Sequence, residues 1–179
     1  FPTRRSSDLQ QLVGTGYSGQ GFYRSHPYRL LPGAGDERVR FLFGAPPEVG
    51  GTFGAFGLCG GGAAGIEIDR ADTELGTPDY AIVLATSDGL DDSYILANEE
   101  VLVNRPTVAG DMSPQLRADM VFFETPAGGA VLSTGSVAWA GALGDLPSDN
   151  EIARLTRRAV TRFLDPEPFT LPATETPSG

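Results

Sequence analysis

At 179 residues, with 40% hydrophobic residues and a formal net charge of −10, the chain has enough length to bury one core and is too acidic to suit a phosphate backbone. Its mean hydropathy of −0.11, and the lack of any apolar run near the roughly 18 residues of a membrane span, exclude a transmembrane helix. The single cysteine, Cys59, and the single histidine, His26, exclude an internal disulfide framework and a multi-histidine metal site, and the lone thiol fits a reducing cytoplasm.

Phe1–Leu9 (FPTRRSSDL) has no apolar period of 2 or 3.6 residues, and no apolar run of the signal-peptide kind follows Arg4 and Arg5. Thr3–Leu9 resembles the conceptual translation of a short-read sequencing adaptor. These nine residues are therefore expected to be a non-native leader without a fold, with the natural chain beginning upstream of Gln10.

The next stretch is irregular and rich in glycine. GTGYSG (Gly14–Gly19) matches G-x-G-x-x-G, but a dinucleotide site needs that turn to open a helix whose N–H groups meet the pyrophosphate. Gly21 and Pro27 oppose such a helix, so a glycine-permitted turn is the expectation. His26 lies close in sequence to Tyr17, Tyr23 and Tyr28, a possible polar cluster, although a lone loop histidine is more often structural or exposed. No G-x-S-x-G elbow accompanies it. VRFLF (Val39–Phe43) reads as a strand.

GGGAAG (Gly60–Gly65) could offer amides to an anion, yet no Lys or Ser/Thr follows as a phosphate loop requires, and close backbone packing is expected instead. In IEIDRADTE (Ile66–Glu74) an extended chain puts Glu67 and Asp69 on one face and Ile66 and Ile68 on the other. Two carboxylates so spaced suit a hard cation or acid–base chemistry, and equally a solvated face paired with Arg70 and other arginines.

Further strands are expected at Tyr80–Thr86, Tyr94–Val103, Ala118–Glu124 and Ala130–Thr134, the last two forming a hairpin about Thr125–Gly129. Trp139 reads as an aromatic anchor at the start of a short helix, with a ligand contact as the lesser reading. In Ser148–Pro166 the residues Ile152, Leu155, Ala159 and Phe163 make one stripe, with Val160 and Leu164 beside it and Arg154, Arg157, Arg158 and Arg162 largely opposite. The spacing predicts a helix over 149–164, with Ser148 and Glu151 as a capping box and Pro166 as its stop. Beyond Pro166 a Pro/Thr-rich tail is expected to be disordered or laid over the surface.

Four stretches together, Leu12–Arg29, Gly60–Pro78, Arg117–Leu143 and Asn150–Pro166, resemble the C-terminal region of the N,N-dimethylformamidase large (beta) subunit family. The resemblance runs in order over nearly all of Leu12–Pro166. It implies an α/β fold, the C-terminal portion of a glutamine-amidotransferase-like (flavodoxin/Rossmann-like) three-layer domain truncated at its N-terminus. It also implies hydrolysis of a small formamide to formate and an amine, a small partner subunit, an oligomeric assembly, and a mononuclear non-haem iron held by two tyrosines and a glutamate. Such an iron would act as a Lewis acid on the carbonyl and lower the pKa of bound water. Those ligands are expected upstream of this chain. Tyr17, Tyr28 and Glu67 match no ligand motif, so no catalytic or metal-binding residue is assigned here and the chain alone is expected to be inactive. The competing expectation is a non-catalytic amidotransferase-like scaffold or subunit-interaction domain, because fold does not fix function.

Overall fold

The computed structural model describes residues 4–98, 101–103, 109, 113–144, 147 and 149–172. A helix, α1 (Arg4–Val13), opens the chain and ends at Gly14, whose N–H donates to the Gln10 carbonyl at 2.9 Å. The expectation of no fold before Gln10 therefore fails for residues 4–9. The cause lies at the far end of the helix, where Gln10 is 1% exposed. Its Nε2 donates to Arg70 O at 3.1 Å and its Oε1 accepts from Thr77 Oγ1 at 2.6 Å. Once that turn is fixed, each further residue adds one backbone bond to a helix already nucleated.

Strands β1 (Gly16–Gln20) and β2 (Tyr28–Leu30) follow, then a short helix, α2 (Arg40–Phe43), where a strand is expected over Val39–Phe43. The strand-rich composition of VRFLF misleads because its ends are built for a helix. Asp36 accepts the Arg38 N–H at 2.9 Å and so caps the 3-10 turn Glu37–Val39 that leads into α2, and Gly44 closes the helix at φ 74° with its N–H on Arg40 O at 3.1 Å. Val39 and Leu42, three apart, are the buried pair, as helical spacing requires.

The remaining strands are β3 (Thr52–Phe53), β4 (Glu67–Arg70), β5 (Ile82–Ser87), β6 (Ile95–Asn98), β7 (Val101–Val103), β8 (Ala118–Glu124) and β9 (Ala130–Ser133). One sheet has the order β4-β1-β6-β7 and the other β3-β2-β5-β8-β9. All pairings within the two sheets are antiparallel among the described residues. The mixed α/β class holds, whereas a flavodoxin-like layer would run parallel between covering helices. The run expected as one strand over Tyr94–Val103 is two, folded back with Leu96 opposite Val103 and Asn98 opposite Val101. The β8–β9 hairpin forms as expected, Thr125 N–H donating to Gly129 O at 2.8 Å.

Strand β8 is buried along its whole length, which explains the nearly unbroken apolar run ADMVFFE. Met120 and Phe122 enter the main core with Tyr28, Leu84, Ile68 and Leu96, so that core draws on both sheets. Val121 and Phe123 enter a second cluster with Ala71. Helices α3 (Ala138–Leu143) and α4 (Glu151–Phe163) complete the main core. Ile152, Leu155 and Ala159 are buried; Phe163, the fourth member of the expected stripe, is 42% exposed and meets Phe169 edge-on at 5.5 Å.

Asn150 caps α4, its Oδ1 accepting the Ala153 N–H at 2.8 Å, in place of the expected Ser148–Glu151 box. Ser148 lies outside the described residues, and Glu151 Oε1 is occupied with the Gly54 N–H at 2.5 Å. Beyond the helix, Phe169 packs on Phe41 and Phe122, and its N–H donates to Gly128 O at 2.8 Å. That part of the tail is laid over the surface; residues 173–179 lie outside the described set.

Candidate functional site

The carboxylate pair of Glu67 and Asp69 stands on β4, opposite β1, with Tyr17 facing Asp69 and Gln20 facing Glu67. A bulge between Tyr17 and Gly19 shifts the register. The extra residue, Ser18, turns inward, its hydroxyl 3.1 Å from Ile68 O and 3.0 Å from Arg117 O. Tyr17 and Gln20, three apart, thereby reach the same face, where the Tyr17 hydroxyl donates to Gln20 Oε1 at 3.4 Å. Four oxygen-bearing side chains share one sheet face.

Burial, and then the neighbouring Glu67, push the Asp69 carboxyl up to about 6. Burial also raises the Tyr17 phenol, with Glu67 and Asp69 adding to it. A carboxyl poised near neutrality beside a protonated phenol can take up and return a proton. Ile66, next to this pair, has φ 67°, an outlier for a β-branched residue, and its carbonyl accepts the Gly21 N–H at 2.7 Å. That conformation departs from the simple alternation expected for Ile66–Asp69.

The tyrosines expected around His26 are separated. Tyr23 is 84% exposed, and Tyr17 belongs to the face just described. Tyr28 is fully buried, stacked on Phe53 at 5.4 Å and edge-on to Trp139 at 5.8 Å, with its hydroxyl donating to Thr134 O at 2.6 Å. Burial drives its phenol well above the ordinary range. The ring beside His26 is Tyr94, at 5.9 Å. Trp139 is the core anchor expected, its Nε1 donating to Thr156 Oγ1 at 3.0 Å.

The two glycine motifs act through packing. GTGYSG runs into β1 and opens no helix, so the dinucleotide geometry does not form. In GGGAAG a Cβ at Gly62 would overlap the His26 backbone, and one at Gly65 would overlap the Ser25 side chain and the Tyr94 hydroxyl. The Ser136 hydroxyl accepts the Gly65 N–H at 2.7 Å and donates to Gly65 O at 2.8 Å, tying this segment to the start of α3.

A groove of about 700 Å³ lies elsewhere, with Asp119 and Thr86 in its lining and Arg29, Asp88 and Arg117 among its walls. Asp119 is buried and fully engaged. Its Oδ1 accepts from Thr86 Oγ1 at 2.7 Å, and its Oδ2 accepts from the Ala71 N–H at 2.9 Å and Arg117 Nε at 2.8 Å. Burial outweighs these partners and raises its carboxyl. Asp119 is not among the residues expected from the sequence; the signal that marks it is an acid at the second position of β8, directly ahead of the apolar run Met120–Phe123. Among the described residues no three His, Cys, Asp or Glu side chains come together as a metal site.

A family profile described as N,N-dimethylformamidase beta subunit-like, C-terminal, matches residues 3–153. The chain belongs to this family. The N,N-dimethylformamidase beta subunit of Paracoccus aminophilus is 36% identical over 168 residues, 93% of this chain and 22% of that protein. The counterpart from Alcaligenes sp is 35% identical over 165 residues, 92% of this chain and 21% of that protein. The chain thus spans about a fifth of the length of these family members. No helix among the described residues is long and apolar enough to cross a membrane.

Proposed function

We propose that this chain is the C-terminal part of an amidohydrolase beta subunit that cleaves N,N-dimethylformamide or a related small formamide to formate and an amine. The enzyme is cytoplasmic and works with a small subunit in an oligomer. The observation that carries this reading is the 36% identity over 168 residues to a protein named for that activity. The parent domain is glutamine-amidotransferase-like, and its further strands and a mononuclear iron, held by two tyrosines and a glutamate, are supplied upstream.

The chemistry of the described donors supports keeping that iron outside this chain. Tyr28 has its hydroxyl committed to Thr134 O in the core, and Tyr17 shares its face with two carboxylates and no second phenol. These residues do not fit a set of two tyrosines and one glutamate, so no catalytic step is assigned to them. A scaffold without turnover is the second reading. It is favoured by the way the buried acids are spent on structure, Glu124 on Arg38 at 3.1 Å and Asp119 on Arg117.

The test is metal analysis and formate release for the 179-residue chain beside a version extended upstream to the length of its relatives. The expected outcome is iron and turnover in the extended protein and neither in the shorter one, because a metal hydrolase needs its ligands fixed and a position left open. Iron-dependent turnover by the short chain overturns the placement of the ligands. An extended protein that binds iron without turnover supports the scaffold.

A further inference from the structure

His26 is held firmly at its backbone and loosely at its ring. Its N–H donates to Ala64 O at 2.6 Å and its carbonyl accepts the Ala64 N–H at 3.0 Å, while Gly62 lies against the same backbone. The ring nitrogen Nε2 is buried and has no hydrogen-bond partner among the described residues. A carboxylate oxygen, Asp91 Oδ2, stands 3.8 Å from it. That carboxylate is held in place through its other oxygen, which accepts the Ser93 N–H at 3.0 Å and the Ser93 hydroxyl.

The other neighbour is Tyr94, edge-on, its own hydroxyl committed to Arg24 O at 2.6 Å. The imidazole therefore packs on an aromatic ring and faces, across a short gap, a carboxylate that suits its cation. A separation of 3.8 Å is too long for a neutral hydrogen bond and close enough for an ion pair. The titratable and charged groups facing the ring, among the described residues, are Asp91, Arg24 and Tyr94.

We propose that His26 is a proton-triggered latch: when the ring is protonated, its Nε2–H closes the 3.8 Å gap to Asp91 Oδ2. That ion pair pins the segment ahead of β6 to the backbone bridge that His26 makes with the glycine-rich loop. Burial, the larger influence, and Arg24 keep the ring neutral at neutral pH, while Asp91 favours the cation. The proton comes from solvent and no other bond changes. The latch is independent of the hydrolase reading, and it stands or fails without any measurement of turnover.

His26 is the only histidine, so its ring signals titrate unobscured in an NMR experiment on the full chain. The expected midpoint lies below the ordinary histidine value. At that same midpoint the Asp91 carboxyl carbon and the Ser93 amide shift, and the Nε2 proton, held by the carboxylate, becomes observable. Asp91→Asn lowers the midpoint further and loses that proton signal. An Asp91 carboxyl carbon that ignores the His26 titration overturns the latch, as does an Nε2 proton that stays in fast exchange after protonation. If the variant does not fold, the carbon titration of the unmodified chain decides alone.

Discussion

Asp69 faces a tyrosine across the sheet and stands two residues from another carboxylate, and both neighbours bear on its proton. With a carboxyl at about 6 in the folded chain, against an ordinary 3.8, the folded state binds the proton more tightly than the unfolded chain between those values. Stability is therefore greatest below the window, falls as pH rises through it, and carries the full cost above it. Glu67→Gln should lower the Asp69 midpoint, since Glu67 is its charged neighbour, and recover part of that cost. Asp69→Asn should stabilise the chain at pH 7 by on the order of 1 kcal/mol and give no gain below the window. Urea unfolding at several pH values checks both; an Asp69→Asn gain that is the same at every pH would disprove the titration argument. His26 works in the opposite sense. Its lowered pKa means the unfolded chain binds more protons below 6.5, so its contribution declines as pH falls from there toward the folded value.

Helix α4 is set by its first turn as much as by its apolar stripe. The Asn150 side chain accepts the Ala153 N–H and donates through Nδ2 to Ala142 O at 3.0 Å, so it caps α4 and ties it to α3. Asn150→Ala should cost about 1–2 kcal/mol in thermal or urea unfolding, the sum of a lost cap and a lost buried bond. Val160→Ala, on the exposed side of the same helix, should stay within about 0.5 kcal/mol. The elements legible in the sequence, β5, β8, β9 and α4, have a sustained pattern bounded by turn residues. Those that misled were governed from outside their own run. Asp36 and Gly44 made Val39–Phe43 helical, pairing folded Tyr94–Val103 back on itself, and the buried Gln10 drew residues 4–9 into a helix that their composition does not announce. The candidate face was half legible. Glu67 and Asp69 are read from alternation, whereas Tyr17 and Gln20 join them only through a bulge that no local pattern specifies.

Across the whole molecule, the β8–β9 hairpin is local and legible, whereas pairings such as β1 with β4, β1 with β6 and β5 with β8 join strands distant in the chain, and no local pattern specifies them. The segment Gly62–Gly65 brings distant parts of the chain into close contact. Ala64 bridges to His26 and Gly65 exchanges hydrogen bonds with Ser136, while Ile68, just beyond, bridges to Ser136 as well. This one stretch holds together the β1–β2 connection, the start of β4 and the entry to α3. Backbone rather than flexible side chain lies where a Gly62 Cβ would go, so the neighbour cannot move aside cheaply. Gly62→Ala should therefore destabilise by about 1–3 kcal/mol, in the range of overpacked interiors, and should weaken amide exchange protection at both His26 and Ala64. Gly89→Ala is the matched control: a Cβ there meets nothing within 4 Å, and stability should change by no more than about 0.5 kcal/mol. Equal effects from the two substitutions would show that close approach at Gly62 is not what joins these elements. Selective loss of protection at the bridge would show that the glycine run serves to bring two backbones into contact, with no ligand needed to account for it.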